Sequence, residues 1–212
     1  MEKIKPITII GCGPGGVGYL SGEALNAAAR SDCLIGSKRL LALFQENGVE
    51  RVTVNAEVKK TIDEITRRYE TKNIAVLVSG DPGISSLAKP VIKHFGIENC
   101  VVIPGVSSVQ LAFARLGLDW LDAKIVSAHG HDPVAEMESY RRYEKIAVLG
   151  GRDESIVWAH NLAKTLCDRQ VFICENLSLA GENITELTLE QLGSYKAVSM
   201  SIVLLIKNRE SR

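Results

Sequence analysis

The stretch Thr8 to Leu20, TIIGCGPGGVGYL, constrains this chain more than any other. The apolar run Ile7 to Ile10 leads into Gly11, Gly13, Gly15, Gly16 and Gly18, and Val17, Leu20, Ala24 and Ala28 follow at helical spacing. Strand, glycine turn and helix in that order open a βαβ unit, because parallel strands need a crossover and a two-residue hairpin cannot supply one. Glycine reaches positive φ and lets backbone approach a ligand closely. A turn this rich in glycine therefore points to a ligand loop ahead of the plainer alternative, a tight turn that holds nothing.

The same rhythm continues. Cys33 to Ile35 and Val52 to Val54 are strand-like, and Val58, Ile62, Ile65 and Tyr69 fall on one face of a helix. Ile74 to Gly80, IAVLVSG, is continuously apolar, as expected of a strand covered on both faces. After CVVIPG, Ser107 or Ser108 starts a helix with Val109, Phe113 and Leu116 inward. The pattern breaks at Gly117 to Asp122, GLDWLD. Strands resume at Lys124 to Ser127, Ile146 to Leu149, Val171 to Cys174 and Ile202 to Ile206, and the sparse helical signals of the last third suit antiparallel strands. The expected fold class is α/β: two small α/β domains, residues 1–118 with the glycine loop and residues 119–212, with a ligand in the cleft between them.

Gly11, Gly13 and Gly16 satisfy the G-x-G-x-x-G spacing of dinucleotide sites. Such a site needs an acid at the end of the second strand, yet that strand ends in Gly36-Ser37 and Asp32 precedes it. Pro14 also removes a backbone N–H where a pyrophosphate would want one. No G-K-[ST] follows, which excludes the nucleoside-triphosphate loop. Two later stretches, VSGDPGISSL (Val78 to Leu87) and VIPGVSSVQLAFARLGL (Val102 to Leu118), also leave from strand ends, so three loops are expected to converge on one crevice.

Lys plus Arg equal Asp plus Glu at 25 each, so the excess positive charge of a non-specific nucleic-acid binder is missing. The longest apolar runs fall well short of the ~18 residues of a spanning helix, and the N-terminal apolar run is too short for a signal core; a cytoplasmic protein with no membrane partner is expected. Five cysteines without a C-x-x-C pair suit buried reduced thiols, Cys12 among them. His129 and His131 lie two apart with only Asp132 nearby, too few ligands for a protein-held metal.

GCGPGGVGYLS, SGDPGISSL and IPGVSSVQLAFARLGL together resemble the tetrapyrrole methylases, which transfer methyl groups from S-adenosylmethionine to uroporphyrinogen- and precorrin-type macrocycles. The narrower resemblance, carried by GDPGISSLA and PGVSSVQLAFARLGLDWLDAKIVSAHG, is to the branch that methylates carbon 5 of precorrin-6Y or cobalt-precorrin-7 in cobalamin synthesis. It implies a two-domain α/β fold and S-adenosylmethionine as cofactor, with S-adenosylhomocysteine as product. Pro14, Gly80, Asp81 and Ile84 would line the cofactor, Ser107 and Ser108 would lie beneath its methionine or adenosine portion, and Leu149 would contact the adenosine. Asp81 would offer its charge to the cofactor, or orient the loop, against the plainer role of a turn aspartate capping a helix. His129 is a candidate on the substrate side, catalytic if it removes a proton after methylation; where the family carries arginine in S-x-H-G-R, this chain has His131.

Because precorrins carry many carboxylates, Arg39, Arg115, Arg141, Arg142 and Arg152 are candidates to pair with them, Lys38-Arg39 first. The resemblance also implies a homodimer and a separate decarboxylating carbon-15 methyltransferase in the same pathway. The alternatives are a methylase of ribosomal RNA or diphthamide on the same fold, an NAD(P)-binding oxidoreductase, or a small-molecule carrier without catalysis.

Overall fold

The computed structural model describes residues 5–45, 48–55, 57–128, 133–134, 136–196 and 198–208. The chain divides into two compact units, Met1–Ser107 and Ser108–Arg212. The boundary drawn from sequence after Leu118 lies beyond the far end of the helix that opens the second unit.

The first unit is built on one parallel sheet of β1 (Ile7–Gly11), β2 (Cys33–Gly36), β3 (Glu50–Thr53), β4 (Ile74–Val78) and β5 (Cys100–Ile103), in the order β3-β2-β4-β1-β5. Every residue of β4 is buried, and strand alternation sends successive side chains to opposite faces. Ile74, Val76 and Val78 join Ile7, Ile9, Cys33 and Ile35 on one face. Ala75 and Leu77 join Ile10 and Leu34 on the other. Helices α1 (Gly22–Ala29) and α2 (Lys38–Leu41) cover the second face through Ala24, Ala28, Leu40 and Leu41. Helices α3 (Val58–Thr66) and α4 (Ala88–Phe95) cover the first through Ile65, Ala88 and Val91.

Two local expectations change. The helix anticipated from Val17 onward is instead a 3₁₀ turn, Val17–Tyr19, and α1 begins only at Gly22. The reason is Ser21, whose side chain accepts from the Ala24 N–H at 3.0 Å while its backbone stays extended, as an N-cap requires. Along α3, Ile65 is buried and Ile62 and Tyr69 pack partly against the core, but Val58 stands in solvent. Thr61 takes the inward place one turn before Ile65, its hydroxyl satisfied by the Glu57 carbonyl at 3.3 Å.

The second unit opens with α5 (Ser108–Arg115), which buries Val109, Leu111, Ala112 and Phe113. Its sheet holds β6 (Lys124–Ser127), β7 (Lys145–Leu149), β8 (Arg169–Glu175), β9 (Asn183–Leu187) and β10 (Ser201–Lys207), in the order β6-β7-β10-β8-β9. Only β6 and β7 pair in parallel; every other pair is antiparallel, as the weak helical signals of the last third suggested. Helix α6 (Asp153–Leu166) lays Ile156, Ala159, Leu162 and Leu166 on the core, with Ile146, Val148, Val171, Ile173, Val203 and Leu205 in the same cluster. Each of the Val, Leu and Ile side chains contributes about 1.5–3 kcal/mol on leaving water. Trp158 of α6 meets Tyr140 edge to face, ring centroids 5.7 Å apart. The short α7 (Leu189–Gly193) starts on a reciprocal cap: the Thr188 hydroxyl accepts from Gln191 N–H, and Gln191 Oε1 from Thr188 N–H.

Candidate active site

Strand order places the three loops side by side. β1 lies between β4 and β5, so the segments leaving the carboxyl ends of all three begin as neighbours, the arrangement that makes a ligand site in a parallel sheet. The Cys12 N–H donates to the Val78 carbonyl at 2.9 Å. Beyond it Gly13 and Gly80 exchange both backbone bonds, 3.2 and 2.7 Å, in an antiparallel bridge. That bridge needs Gly13 at φ +71° and Gly80 at φ +66°, the left-handed region that glycine occupies without strain.

The third loop packs closely against the backbone of the other two. A Cβ on Gly105 would lie 2.5 Å from the Gly80 carbonyl oxygen and 2.7 Å from the Gly11 carbonyl. A Cβ on Gly11 would lie 2.6 Å from the Gly105 nitrogen. Glycine is demanded at these two positions by loop-on-loop contact.

Asp81 completes the arrangement. Its Oδ1 accepts from the Gly83 N–H at 2.8 Å, and its Oδ2 reaches across to the Gly105 N–H at 3.2 Å. Of the roles weighed from sequence, orienting the loop is the one its bonds perform. It caps no helix: α4 starts at Ala88, whose N–H is taken by the Ser86 hydroxyl at 3.1 Å. A half-buried carboxylate with both oxygens bonded is also a fixed charge, held at the loop edge.

The remaining sequence candidates fall as follows. Pro14 is buried between Gly13 and Gly15, both at positive φ. Ile84 is half-buried, its N–H donated to the Asp81 carbonyl at 3.1 Å, and Ser85 beside it holds φ +45°. A non-glycine residue in that region stores strain of the kind concentrated at ligand loops. Ser107 is buried at the end of the first unit, and Ser108 is the first residue of α5. Leu149 closes β7 in the second unit, its carbonyl accepting from Ala128 N–H at 3.0 Å. Gly150 follows, with the Ser155 and Ser201 hydroxyls 2.9 and 3.1 Å from where a Cβ would stand. His129 and His131 lie outside the described residues.

Two features of the first unit oppose a dinucleotide. In a dinucleotide fold the first two strands are neighbours, so that an acid ending the second reaches the ribose beside the first loop. Here β4 separates β1 from β2. The glycine loop also leads into a 3₁₀ turn and an extended Leu20, so the start of α1 does not follow directly on the loop as pyrophosphate binding requires.

Electrostatically the site's thiol is silent. Burial pushes Cys12 up to about 12, against the opposing pulls of a backbone hydrogen bond to Val78 and the Arg39 charge, and its Sγ–H donates weakly to the Ile10 carbonyl. It is a small buried filler. Arg39, at the start of α2, reaches over β4 to donate through Nη2 to the Ser79 hydroxyl at 3.0 Å.

Sequence reasoning passed over the mutual dependence of Gly11, Gly105 and Asp81. The visible signal was only that β1 and β5 both end in glycine-bearing turns; which glycine touches which is a property of strand order, and strand order is not written locally.

With this geometry in view, comparison with known proteins is direct. The family Tetrapyrrole (Corrin/Porphyrin) Methylases matches residues 6–193. The cobalt-precorrin-7 C(5)-methyltransferase of Salmonella typhimurium is 34% identical over 183 residues, which are 84% of this chain and 88% of that protein. Among solved structures, a precorrin-6Y methylase from Archaeoglobus fulgidus superposes with a TM-score of 0.75 at 24% identity, over 97% of this chain and 99% of that one. The uroporphyrin-III C-methyl transferase of Thermus thermophilus, solved with S-adenosyl homocysteine, has a TM-score of 0.74 at 19% identity, covering 94% of this chain and 91% of its own. A match along nearly the whole chain, on the fold and loops described above, leads to one conclusion: the chain belongs to the tetrapyrrole (corrin/porphyrin) methylases.

Proposed function

We propose that this chain transfers a methyl group from S-adenosylmethionine to carbon 5 of cobalt-precorrin-7 in cobalamin biosynthesis, with S-adenosylhomocysteine as the second product. The observation that carries the reading is the 34% identity to a cobalt-precorrin-7 C(5)-methyltransferase across 88% of that protein's length. That relative acts at carbon 5, so a separate decarboxylating protein would act at carbon 15.

The residues suit such a cofactor. Asp81 holds a fixed negative charge at the edge of three close-packed loops, matched to a cationic sulfonium or ammonium. The loops themselves carry small residues and backbone rather than bulky side chains. When bound, the cofactor supplies an electrophilic methyl carbon on a leaving group that departs as a neutral thioether. Little acid–base machinery is then required of the protein. Its residues bind, align and keep water out. In this reading Pro14, Gly80, Asp81 and Ile84 line the cofactor, Ser107 and Ser108 lie beneath it, Leu149 contacts the adenosine, and His129 stands on the substrate side. The protein works in the cytoplasm as a homodimer; none of the described helices is long and apolar enough to cross a membrane.

The test is a thermal-shift comparison of the purified chain with S-adenosylhomocysteine, NAD⁺ and NADP⁺, followed by turnover of cobalt-precorrin-7. A ligand at about 100 times its dissociation constant stabilises the fold by about 2.7 kcal/mol. A rise with S-adenosylhomocysteine alone, and methylation of the macrocycle at carbon 5, are the expected results. A rise with a dinucleotide alone, or methylation at another carbon, sinks the reading.

A further inference from the structure

We propose that Arg39 is the receptor for a carboxylate of a ligand held at the carboxyl edge of the first sheet, an inference that rests on the methyl-transfer reading above. Five arginines were candidates to meet substrate carboxylates, and the structure separates them. Arg115 already forms a two-point pair with Glu182, at 2.6 and 3.3 Å. Arg141 is held by Glu138 and by the carbonyls of Thr165 and Leu166. Arg142 lies over the Tyr143 ring and bonds its hydroxyl. Arg152 donates to the Ala128 carbonyl at 2.9 Å and sits 3.4 Å from Glu154.

Arg39 differs from all four. Among the described residues its hydrogen-bond partner is a neutral hydroxyl, Ser79, as Tyr143 is for Arg142, but its Nη1 is also shut off from solvent with no partner there. Arg169 also carries a buried nitrogen that makes no hydrogen bond, but an Asp168 oxygen lies 3.1 Å from it. Among the described residues no carboxylate pairs with Arg39. A charged donor enclosed with nothing to receive it is unfavourable unless another molecule supplies the acceptor. Ser79 fixes the plane of the guanidinium through Nη2, so a carboxylate arriving at the loop edge meets a group already oriented.

Its place in the fold matches that role. Arg39 arises just beyond β2, and Ser79, which it grips, directly precedes the Gly80-Asp81 loop. Its charge is also felt at Cys12, inside the first loop. The side chain therefore stands beside two of the three loops. It brings a positive charge to an edge where Asp81 supplies the negative one. Two carboxylate sources fit this chemistry: the acid side chains of the macrocycle and the α-carboxylate of the cofactor's methionine portion.

The experiment compares full-length wild-type protein with Arg39→Met and Arg39→Lys. It measures melting temperature, the calorimetric dissociation constant for S-adenosylhomocysteine, and KM and kcat for cobalt-precorrin-7. For Arg39→Met we expect one affinity to weaken roughly tenfold to a hundredfold. A raised KM with unchanged S-adenosylhomocysteine binding assigns the carboxylate to the macrocycle. A raised dissociation constant for S-adenosylhomocysteine assigns it to the cofactor. A folded Arg39→Met with both at wild-type values overturns the proposal, as does a loss confined to kcat. Should Arg39→Met fail to fold, Arg39→Lys is read instead: it keeps the charge but loses the fork, so an intermediate weakening is expected and none overturns the proposal. Wild-type protein that binds no S-adenosylhomocysteine defeats the functional reading itself, before any variant is compared.

Discussion

Gly105 carries more consequence than its size suggests. Its N–H donates to the Asp81 carboxylate, and it has no room for a methyl group against Gly80 and Gly11. Gly105→Ala must push three loops apart, and we expect it to cost about 1–3 kcal/mol, the range for overpacking a close contact. Binding of S-adenosylhomocysteine should fall with it, measured by calorimetry at a temperature where the variant is still folded. A variant that binds as the wild type does would mean that the cofactor does not depend on how these loops meet. None of this could be read from IPGVSS, where glycine after proline announces a turn and nothing more. Asp81 was legible as an important acid, but its partner lies in a loop more than twenty residues on, and only the tertiary structure joins them.

At the scale of elements, those with strong periodicity or continuous apolar character were legible: β1, β4, β7, β8 and β10 lie where their apolar runs placed them. The start of α1 was not, because Val17 and Leu20 continue the helical spacing and the Ser21 cap overrides it. Val58 misled for the same reason, since spacing alone does not say which turn of a helix meets the core. A further link between elements was invisible in the sequence: Arg115 at the end of α5 holds Glu182 just ahead of β9. The Arg115 guanidinium, helped by the Ser178 N–H, keeps the Glu182 carboxyl below its ordinary range. A carboxyl depressed in the folded state stabilises at neutral pH, and that stabilisation is lost as pH falls through the folded value. Glu182→Gln should therefore lower stability at pH 7 by on the order of 0.5–1 kcal/mol, a modest figure because the pair is partly solvated. The difference from wild type should shrink below about pH 4, which denaturation at a series of pH values would follow.

Over the whole molecule, two sheets of different character share one chain, and the sequence distinguished them through helical content: frequent in the parallel unit, sparse towards the end of the antiparallel one. It could not give the strand order. The thiols report on both units together. Cys12, Cys33, Cys100 and Cys174 are buried and only Cys167, beyond the end of α6, is exposed. Burial pushes Cys12 and Cys174 up to about 12 and Cys33 up to about 11, so at pH 7.5 these are un-ionised as well as enclosed. Ellman's reagent should find one fast thiol in native protein and five in denaturant. A second fast thiol would show that one unit opens readily.

Strand order also bears on how the protein is made. β1 leaves the ribosome well before both of its neighbours, β4 and β5, which are encoded far downstream. Until synthesis has passed Ile74 and then Cys100, the run Ile7 to Ile10 has no strand beside it, and Gly13 has no Gly80 to bridge. At about 5–20 residues per second that interval lasts several seconds. The apolar run of β1 is thus made before either of its partners, and it waits longest. A chaperone that shields the emerging β1 would act while that strand still lacks both partners.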